Sequence, residues 1–325
     1  MDLLIRRCGN LIDISPDGQS PLPQAVEELL RTQLTYQHKI FLRGHARYTP
    51  SGDMRTVDIE VRRLYAMEQG RLTTSFGFWS KLVAVLQRAG HNLQCVDLTP
   101  PLSRPLAWTP DWENCLRHIS FRPRQQEALV AIANSWGGMI DAVPGFGKTY
   151  VLEALCHLYP HAKIDIVVRP RDVAHRIVRQ LSRSLPDIGL VGDGSLHVGS
   201  RITVYMAASL HRATGDVDFL LADEAHNLVT TRTSVDLAKY RLSRNYGFTA
   251  TRKRMDGADI RLELFFGPLL FHLSYPDAVS LGLVVPIHVR WLPIGAPTNP
   301  AEGKVDVPRY RWGIWRHDFR NMAIA

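Results

Sequence analysis

The chain has 325 residues, 45% of them hydrophobic and 22% charged, with a formal net charge of +8. That balance fits a globular protein of one large or two medium domains, and the surplus of Lys and Arg favours an anionic partner, nucleic acid first. Four widely spaced cysteines with no C-x-x-C pair indicate neither a zinc site nor a disulfide framework, and no run is apolar enough to be a signal peptide core or a membrane span.

Residues 1–99 read as a small α+β unit. Leu3 to Ile14 is strand-like, and Gln24 to Leu34 is a helical pattern started by Pro21 and Pro23. Lys39 to Leu72 is β-rich around Thr49-Pro50-Ser51-Gly52-Asp53, a hairpin turn signal. Gly77 to Ala89 is an amphipathic helix stopped by Gly90, and His91 to Leu98 is a closing strand. Arg43, His45, Arg47, Tyr48, Arg62, Arg63, Tyr65 and Arg71 give this half a basic, aromatic β-surface. Such a surface either tracks phosphates and stacks bases or is an ordinary solvated face. Cys8, Cys95, Cys115 and Cys156 read as reduced core residues.

Residues 100–112 carry Pro100, Pro101, Pro105 and Pro110 and read as a stiff linker. From 113 to 292 strand and helix alternate, the sign of an open parallel sheet. The strands are expected at 138–143, 164–168, 202–206, 217–222 and 246–250. The helices are expected at 124–135, 149–158, 172–184 and 233–241, with a further helix and strand in 277–292. Arg176, Arg179 and Arg183 share one helix face, and Lys239 to Arg254 is a second basic run. Each run either meets a phosphate backbone or is solvated. Pro160 disturbs the spacing of His157 and His161, which read as surface histidines. Residues 293–325 read as a connector in which Trp312 and Trp315 pack, ending in a helix just beginning at Asn321, as if the chain were cut there.

The chemistry is concentrated in Asp141 to Tyr150, D-A-V-P-G-F-G-K-T-Y. It contains A-x-x-x-x-G-K-T, a P-loop with Ala142 in place of the first glycine. Gly145 and Gly147 allow the tight turn that points successive N–H groups, including that of Phe146, at a polyphosphate. Lys148 would reach the β and γ phosphates of ATP, and Thr149 would take a position on Mg²⁺. Tyr150 opens a helix whose N-terminal dipole favours anions. Downstream, Val217 to His226 is an apolar strand ending in D-E-A-H. Asp223 would hold the Mg²⁺ shell and Glu224 would polarise an attacking water.

With both elements in order, the chain resembles the superfamily 2 DExH helicases. The resemblance implies a RecA-like P-loop NTPase domain with a parallel sheet, preceded by the small α+β domain. F-R-P-R-Q-Q-E-A at 121–128 is similar to the segment whose glutamine reads adenine, here Gln125 with Arg122 beside it. I-V-V-R-P-R-D-V at 166–173 resembles motif Ia, a nucleic-acid contact through Arg169 and Arg171, where Arg171 replaces the usual threonine. Ser209 falls in a loose match to motif Ib. Y-G-F-T-A-T at 246–251 matches motif III, so that Thr249 and Thr251, with His226, would couple nucleotide state to strand binding. Arg252 stands where a proline often follows, and Arg252 and Arg254 join the expected nucleic-acid contacts.

Residues 249–269 resemble the phage UvsW-type recombination and repair helicases and their XPB-like relatives, and residues 72–98 resemble the end of the UvsW N-terminal domain. The resemblance implies an ATP-dependent translocase on duplex or branched DNA, with RNA as the alternative, working in the cytoplasm of a bacterial or phage-infected cell. Motors of this kind need a second RecA-like domain carrying arginine fingers, and nothing after Ile287 supplies one. It is expected downstream or in trans, which makes this chain the N-terminal half of a motor, inactive or weakly active alone. Two other readings stand beside it. One is a nucleic-acid-binding module with a silent ATP site. The other is a terminase or restriction translocase subunit, which would join a nuclease, although no D…E-x-K-like cluster follows residue 290.

Overall fold

The computed structural model describes residues 1–41, 56–99, 110–250 and 259–287. In chain order it begins with β1 (Asp2–Cys8), β2 (Leu11–Ser15), α1 (Gln24–Gln33), β3 (Thr35–Phe41), β4 (Thr56–Arg63), β5 (Tyr65–Glu68), β6 (Arg71–Ser75), α2 (Trp79–Arg88) and β7 (Asn92–Asp97). It continues with α3 (Pro110–Leu116), α4 (Gln125–Ala133), β8 (Gly138–Ala142), α5 (Lys148–Leu158), β9 (Ile164–Val168), α6 (Arg171–Leu181), β10 (Ile188–Gly192) and β11 (Ser195–His197). The last described elements are β12 (Ile202–Met206), β13 (Phe219–Asp223), α7 (Thr231–Leu237), β14 (Arg244–Thr249), α8 (Ile260–Phe266), β15 (Leu269–Leu273) and α9 (Tyr275–Ser280).

Two compact units result: Met1–Thr35 with Arg63–Val285, and Tyr36–Arg62 with Pro286–Ala325. In the second, the described secondary structure is the two-stranded ribbon β3–β4, where Arg62 pairs with Glu60.

The first unit holds two sheets. The smaller has the order β5-β6-β2-β1-β7. Leu3 to Ile14, expected as one strand, is an antiparallel pair broken by a turn at Gly9 and Asn10. Alternation along β1 and β2 sends Leu3, Ile5, Ile12 and Ile14 inward. Val26 and Leu30 of α1 and Leu82 and Leu86 of α2 supply the other apolar surfaces of this small core.

The larger sheet has the order β11-β10-β12-β9-β13-β14-β8-β15. Only the β10–β11 hairpin is antiparallel; the other pairs are parallel. Its central strands β8, β9, β13 and β14 are buried along their whole length, as a sheet covered on both faces requires. Leu221 and Phe219 face one apolar cluster with α4 and α5, while Leu220 and Ala222 face a second with Leu237 of α7 and Leu262 of α8.

The small sheet is tied to the large one at the starting end of β14. Asn10 Nδ2 donates to the carbonyls of Tyr240 (3.0 Å) and Ser243 (2.5 Å), and its backbone N–H to Arg241 O at 2.7 Å. The Ser75 hydroxyl donates to Leu264 O. Gly77 lies so close to α8 that a β-carbon there would overlap the Glu263 carbonyl. The Arg7 guanidinium stands 3.5 Å from the Phe76 ring centroid and 4.6 Å from that of Trp136, and Arg244 stacks on the same indole at 3.9 Å. Burial lowers the Arg7 pKa to about 10, against the pull of Asp97 at 3.2 Å.

Several local expectations change. Helix α3 starts at Pro110, inside the stretch read as linker, because proline at the first helical position has no N–H to leave unsatisfied. Strands β10, β11 and β15 and helices α3 and α8 were not anticipated. Cys156 is buried, its thiol pushed up to about 12 by burial, but Cys8 and Cys95 are exposed and Cys115 is half-buried. His161 is exposed, while His157 is half-buried. It lies edge-on to His118 with centroids 4.3 Å apart, and burial, then His118, lower its pKa to about 4. The turn at 49–53, Arg43, His45, Arg47, Tyr48, Thr251, Arg252, Arg254, Trp312 and Trp315 lie outside the described residues.

Candidate nucleotide-binding site

The loop between β8 and α5 crosses from a fully buried strand to a helix N-terminus in five residues, Val143 to Gly147. Gly145 (φ +87°) and Gly147 (φ +86°) occupy the left-handed region that a side chain disfavours. Ala142 is not among the positive-φ residues, which explains why an alanine can stand at the first P-loop position. Phe146 was expected to line the nucleotide, but its ring is buried and stacks on Phe271 at 5.5 Å, so only its backbone faces the loop. Lys148 Nζ donates to Ala142 O at 2.9 Å. Thr149 is half-exposed at the start of α5, and Tyr150 beside it is exposed.

Gln125, at the start of α4, is wholly buried behind this loop. Its Oε1 accepts from the Arg122 backbone N–H (2.8 Å), and its Nε2 donates to Phe146 O (2.7 Å) and Gly147 O (3.3 Å). Exposed Arg122 donates from its guanidinium to Gly145 O at 2.8 Å. Both residues therefore brace the loop from outside.

Strand β14 separates the P-loop strand from β13, and the register sets Asp223 beside Phe248 and Thr249 beside Asp141. The carboxyl ends of three neighbouring parallel strands thus open on one mouth, where open α/β sheets bind ligands. Asp223 ends β13, and Glu224 follows at φ +48°, a left-handed conformation costing about 1 kcal/mol or more for a non-glycine residue. The Glu224 N–H donates to Asp223 Oδ1 at 3.0 Å. Desolvation, then the neighbouring Glu224 charge, raise the Asp223 pKa, opposed by Lys148 and Arg176. Desolvation lowers that of Lys148, opposed by Glu224, Asp223 and Asp141. Among the described residues Lys148 makes no ion pair, so ammonium and carboxylates are held near one another without touching.

Two polar pairs flank this mouth. His226 Nδ1 lies 2.8 Å from Thr249 Oγ1 and 3.5 Å from Glu224 Oε2. His272 Nδ1, on β15, lies 3.0 Å from Asp141 Oδ2. Composition and motif reading missed the His272–Asp141 pair because β15 was not recognised as the neighbour of β8.

The nucleic-acid residues expected from motifs Ia and Ib lie in the segments that follow β9 and β12 of the same large sheet. Arg169 and Arg171 are exposed where β9 passes into α6, and Ser209 is half-exposed in a short 3₁₀ turn, Ala207–Arg212. Arg171 is already paired: its Nε is 2.7 Å from Asp193 Oδ2, which also meets His175 Nε2 at 2.8 Å. Arg176, Arg179 and Arg183 are exposed along the same side of α6 and the turn after it. Among the described residues no group of three or more His, Cys, Asp and Glu gathers as a metal cluster.

In sequence, residues 118–254 match the family described as type III restriction enzyme, res subunit. Probable helicase D10 of Escherichia phage T5 is 24% identical over 152 residues, which cover 44% of this chain and span only 32% of that protein. In structure, the UvsW helicase of bacteriophage T4 matches with a TM-score of 0.62 at 14% identity, over 83% of this chain and 100% of that one. A second T4 UvsW structure gives 0.61 at 15% identity, over 84% of this chain and 57% of that one. At such identities the likeness to UvsW is one of fold.

Proposed function

We infer that this chain, whose motor domain is of the superfamily 2 helicase kind, is a nucleic-acid-dependent NTPase that drives translocation on duplex or branched DNA, with RNA as the alternative track. One observation carries the reading: Lys148, Asp223, Glu224 and the His226–Thr249 pair converge at the carboxyl ends of β8, β13 and β14. A P-loop alone would bind phosphate. A P-loop facing a buried aspartate with a second acid beside it and a hydroxyl–imidazole contact has the parts for hydrolysis and for reporting it.

The residues fit ATP with Mg²⁺. The Asp223 carboxylate is buried beside a second acid, and desolvation and the Glu224 charge raise its pKa, a setting that a bound cation would offset. Thr149 and Asp223 are hard oxygen donors of the kind Mg²⁺ takes. When bound, Mg²⁺ would neutralise charge developing on the phosphates. Lys148 would leave the Ala142 carbonyl for the β and γ phosphates, and the N–H groups from Gly145 to Thr149 would bind them from below. Glu224 would orient the attacking water and accept its proton, while His226 would pass the change at Glu224 to Thr249 on β14.

DNA would run over the face bearing Arg169, Arg171 and Ser209, joined by Thr251, Arg252 and Arg254, with residues 1–99 as an accessory grip. The ATP-binding domain would occupy 113–292 after the proline-rich stretch, with 293–325 leading toward a second RecA-like domain. The test is ATP hydrolysis by this chain with and without branched DNA, beside Lys148→Ala. DNA-stimulated hydrolysis lost in the mutant would support the reading. The same test on a form carrying the second domain that shows no response to any DNA or RNA would overturn it.

The matched family's description favours a second reading, the motor of a restriction-type translocase. Coding sequence beyond Ala325 separates the two: a second motor domain alone supports the helicase, an attached nuclease the alternative.

A further inference from the structure

A glutamine reads adenine by using both ends of its amide, the oxygen accepting from N6 and the nitrogen donating to N7. Gln125 has neither end to offer. Its Nε2 hydrogens go to Phe146 O and Gly147 O, its Oε1 takes the Arg122 N–H, and the side chain has no exposed surface. An amide has two donors, and both are spent inside the protein. The arrangement is also tight: a β-carbon at Gly147 would stand 2.5 Å from Gln125 Nε2. Freeing the amide would strand the buried Phe146 carbonyl at the position where the loop must hold its turn, while Gly147 O would keep the Tyr150 N–H at 2.9 Å.

Nothing else described beside the loop supplies a base-reading pair. Arg124 is held bidentately by Glu127 (2.8 and 2.7 Å), with its guanidinium 5.0 Å from the Phe271 ring centroid. Arg122 is exposed and fastened by one N–H to Gly145 O. A planar guanidinium stacks on any base, because every base has a π-face. The remaining polar groups at the mouth suit phosphate and its metal ion, not a base: Lys148, Thr149 and the acidic pair.

We propose that Gln125 is a latch for the P-loop and not a base reader, so that this site recognises the polyphosphate and accepts purine nucleotides alike. The inference rests on the nucleotide-site reading above and narrows its substrate class. Gln125 is then a positioning residue: it acts on the phosphates through the carbonyls of Phe146 and Gly147.

The test is equilibrium binding of fluorescently labelled ADP and GDP to the full chain, with inorganic tripolyphosphate as a base-free competitor. A site that read the base by hydrogen bonds would separate the two nucleotides by roughly 10⁴-fold. The expected result is dissociation constants within about tenfold of each other, competition by tripolyphosphate, and the same ratio in Gln125→Ala with both affinities weakened together. A larger adenine preference in the wild-type chain overturns the proposal, whether or not Gln125→Ala removes it. The wild-type ratio decides even where the variant does not fold. If neither nucleotide nor tripolyphosphate binds, the nucleotide-site reading fails and the proposal falls with it; binding of ADP alone leaves that reading standing and removes only the proposal.

Discussion

The imidazole of His226 and the hydroxyl of Thr249 meet at 2.8 Å, joining the turn after β13 to the end of β14. His226 also stands 3.5 Å from Glu224. A change of charge or position at Glu224 therefore reaches β14 through a single side chain. Thr249→Val keeps the buried shape and removes the hydroxyl. We expect it to lower DNA-stimulated turnover by about tenfold or more while nucleotide affinity stays within about threefold, because the lost contact is made by no phosphate-binding group. Parallel titrations of nucleotide binding and of DNA-stimulated hydrolysis in a form with the second motor domain would check this. Equal loss in both would show that the pair only shapes the pocket.

Lys148→Ala should abolish nucleotide binding without unfolding the chain. Desolvation disfavours the Lys148 charge, so its removal relieves one penalty while withdrawing its pull on Asp223 and Glu224. The two effects oppose, and the stability change should stay within about 1 kcal/mol. Urea unfolding beside nucleotide titration measures both quantities; a cooperative loss of structure in the mutant would contradict the expectation.

Asp165 gives a pH signature away from the site. It is buried on β9, accepts a hydrogen bond from the Tyr240 hydroxyl at 2.7 Å, and burial raises its pKa from 3.8 to about 6. Between those two values the native state keeps a proton that the unfolded chain has lost. The stability contributed is therefore full below pH 3.8 and falls as pH rises through about 6. Asp165→Asn keeps an acceptor for Tyr240 and has no charge to bury. Relative to wild type it should gain up to about 3 kcal/mol between pH 4 and pH 7, by denaturant unfolding at the two pH values. An identical difference at both would contradict the assignment.

Gly77→Ala should loosen the small sheet from α8. The added β-carbon overlaps the Glu263 carbonyl, and backbone cannot swing aside as a side chain can. A loss of about 1–3 kcal/mol is expected, with limited proteolysis cutting first near residue 77. Unchanged stability and cleavage would mean that the seam relaxes freely.

The nucleotide site was legible because its chemistry imposes spacing. Gly145, Gly147, Lys148 and Thr149 must stand where they do whatever surrounds them, and the apolar run before Asp223 marks a buried strand. Lateral neighbours carry no such signal. Strand β15 follows the proline of F-F-G-P as a five-residue, mostly apolar run, L-L-F-H-L, too short and without the polar alternation that marks a strand, so His272 could not be placed beside Asp141. Strand β10, I-G-L-V-G, spends two of five positions on glycine, which weakens any strand pattern. Gln125 shows the opposite failure: its position was legible and the direction of its amide was not, because that depends on which carbonyls the folded loop turns outward. The ion pair of Arg171 with Asp193 was hidden likewise, since it joins α6 to a hairpin turn 22 residues on.

Strand β14 has one end at the seam and the other at the site. Arg244, at its start, stacks on Trp136 among the contacts to the small sheet, and Thr249, at its finish, holds His226. The strand is extended, fully buried and flanked on both sides by parallel partners, so it resists stretching and bending alike. A load applied at the small sheet would be carried along the backbone of this strand toward Thr249. Mechanically the strand is a tie-rod: drag on an accessory sheet and the state of Glu224 would be felt at opposite ends of one six-residue element.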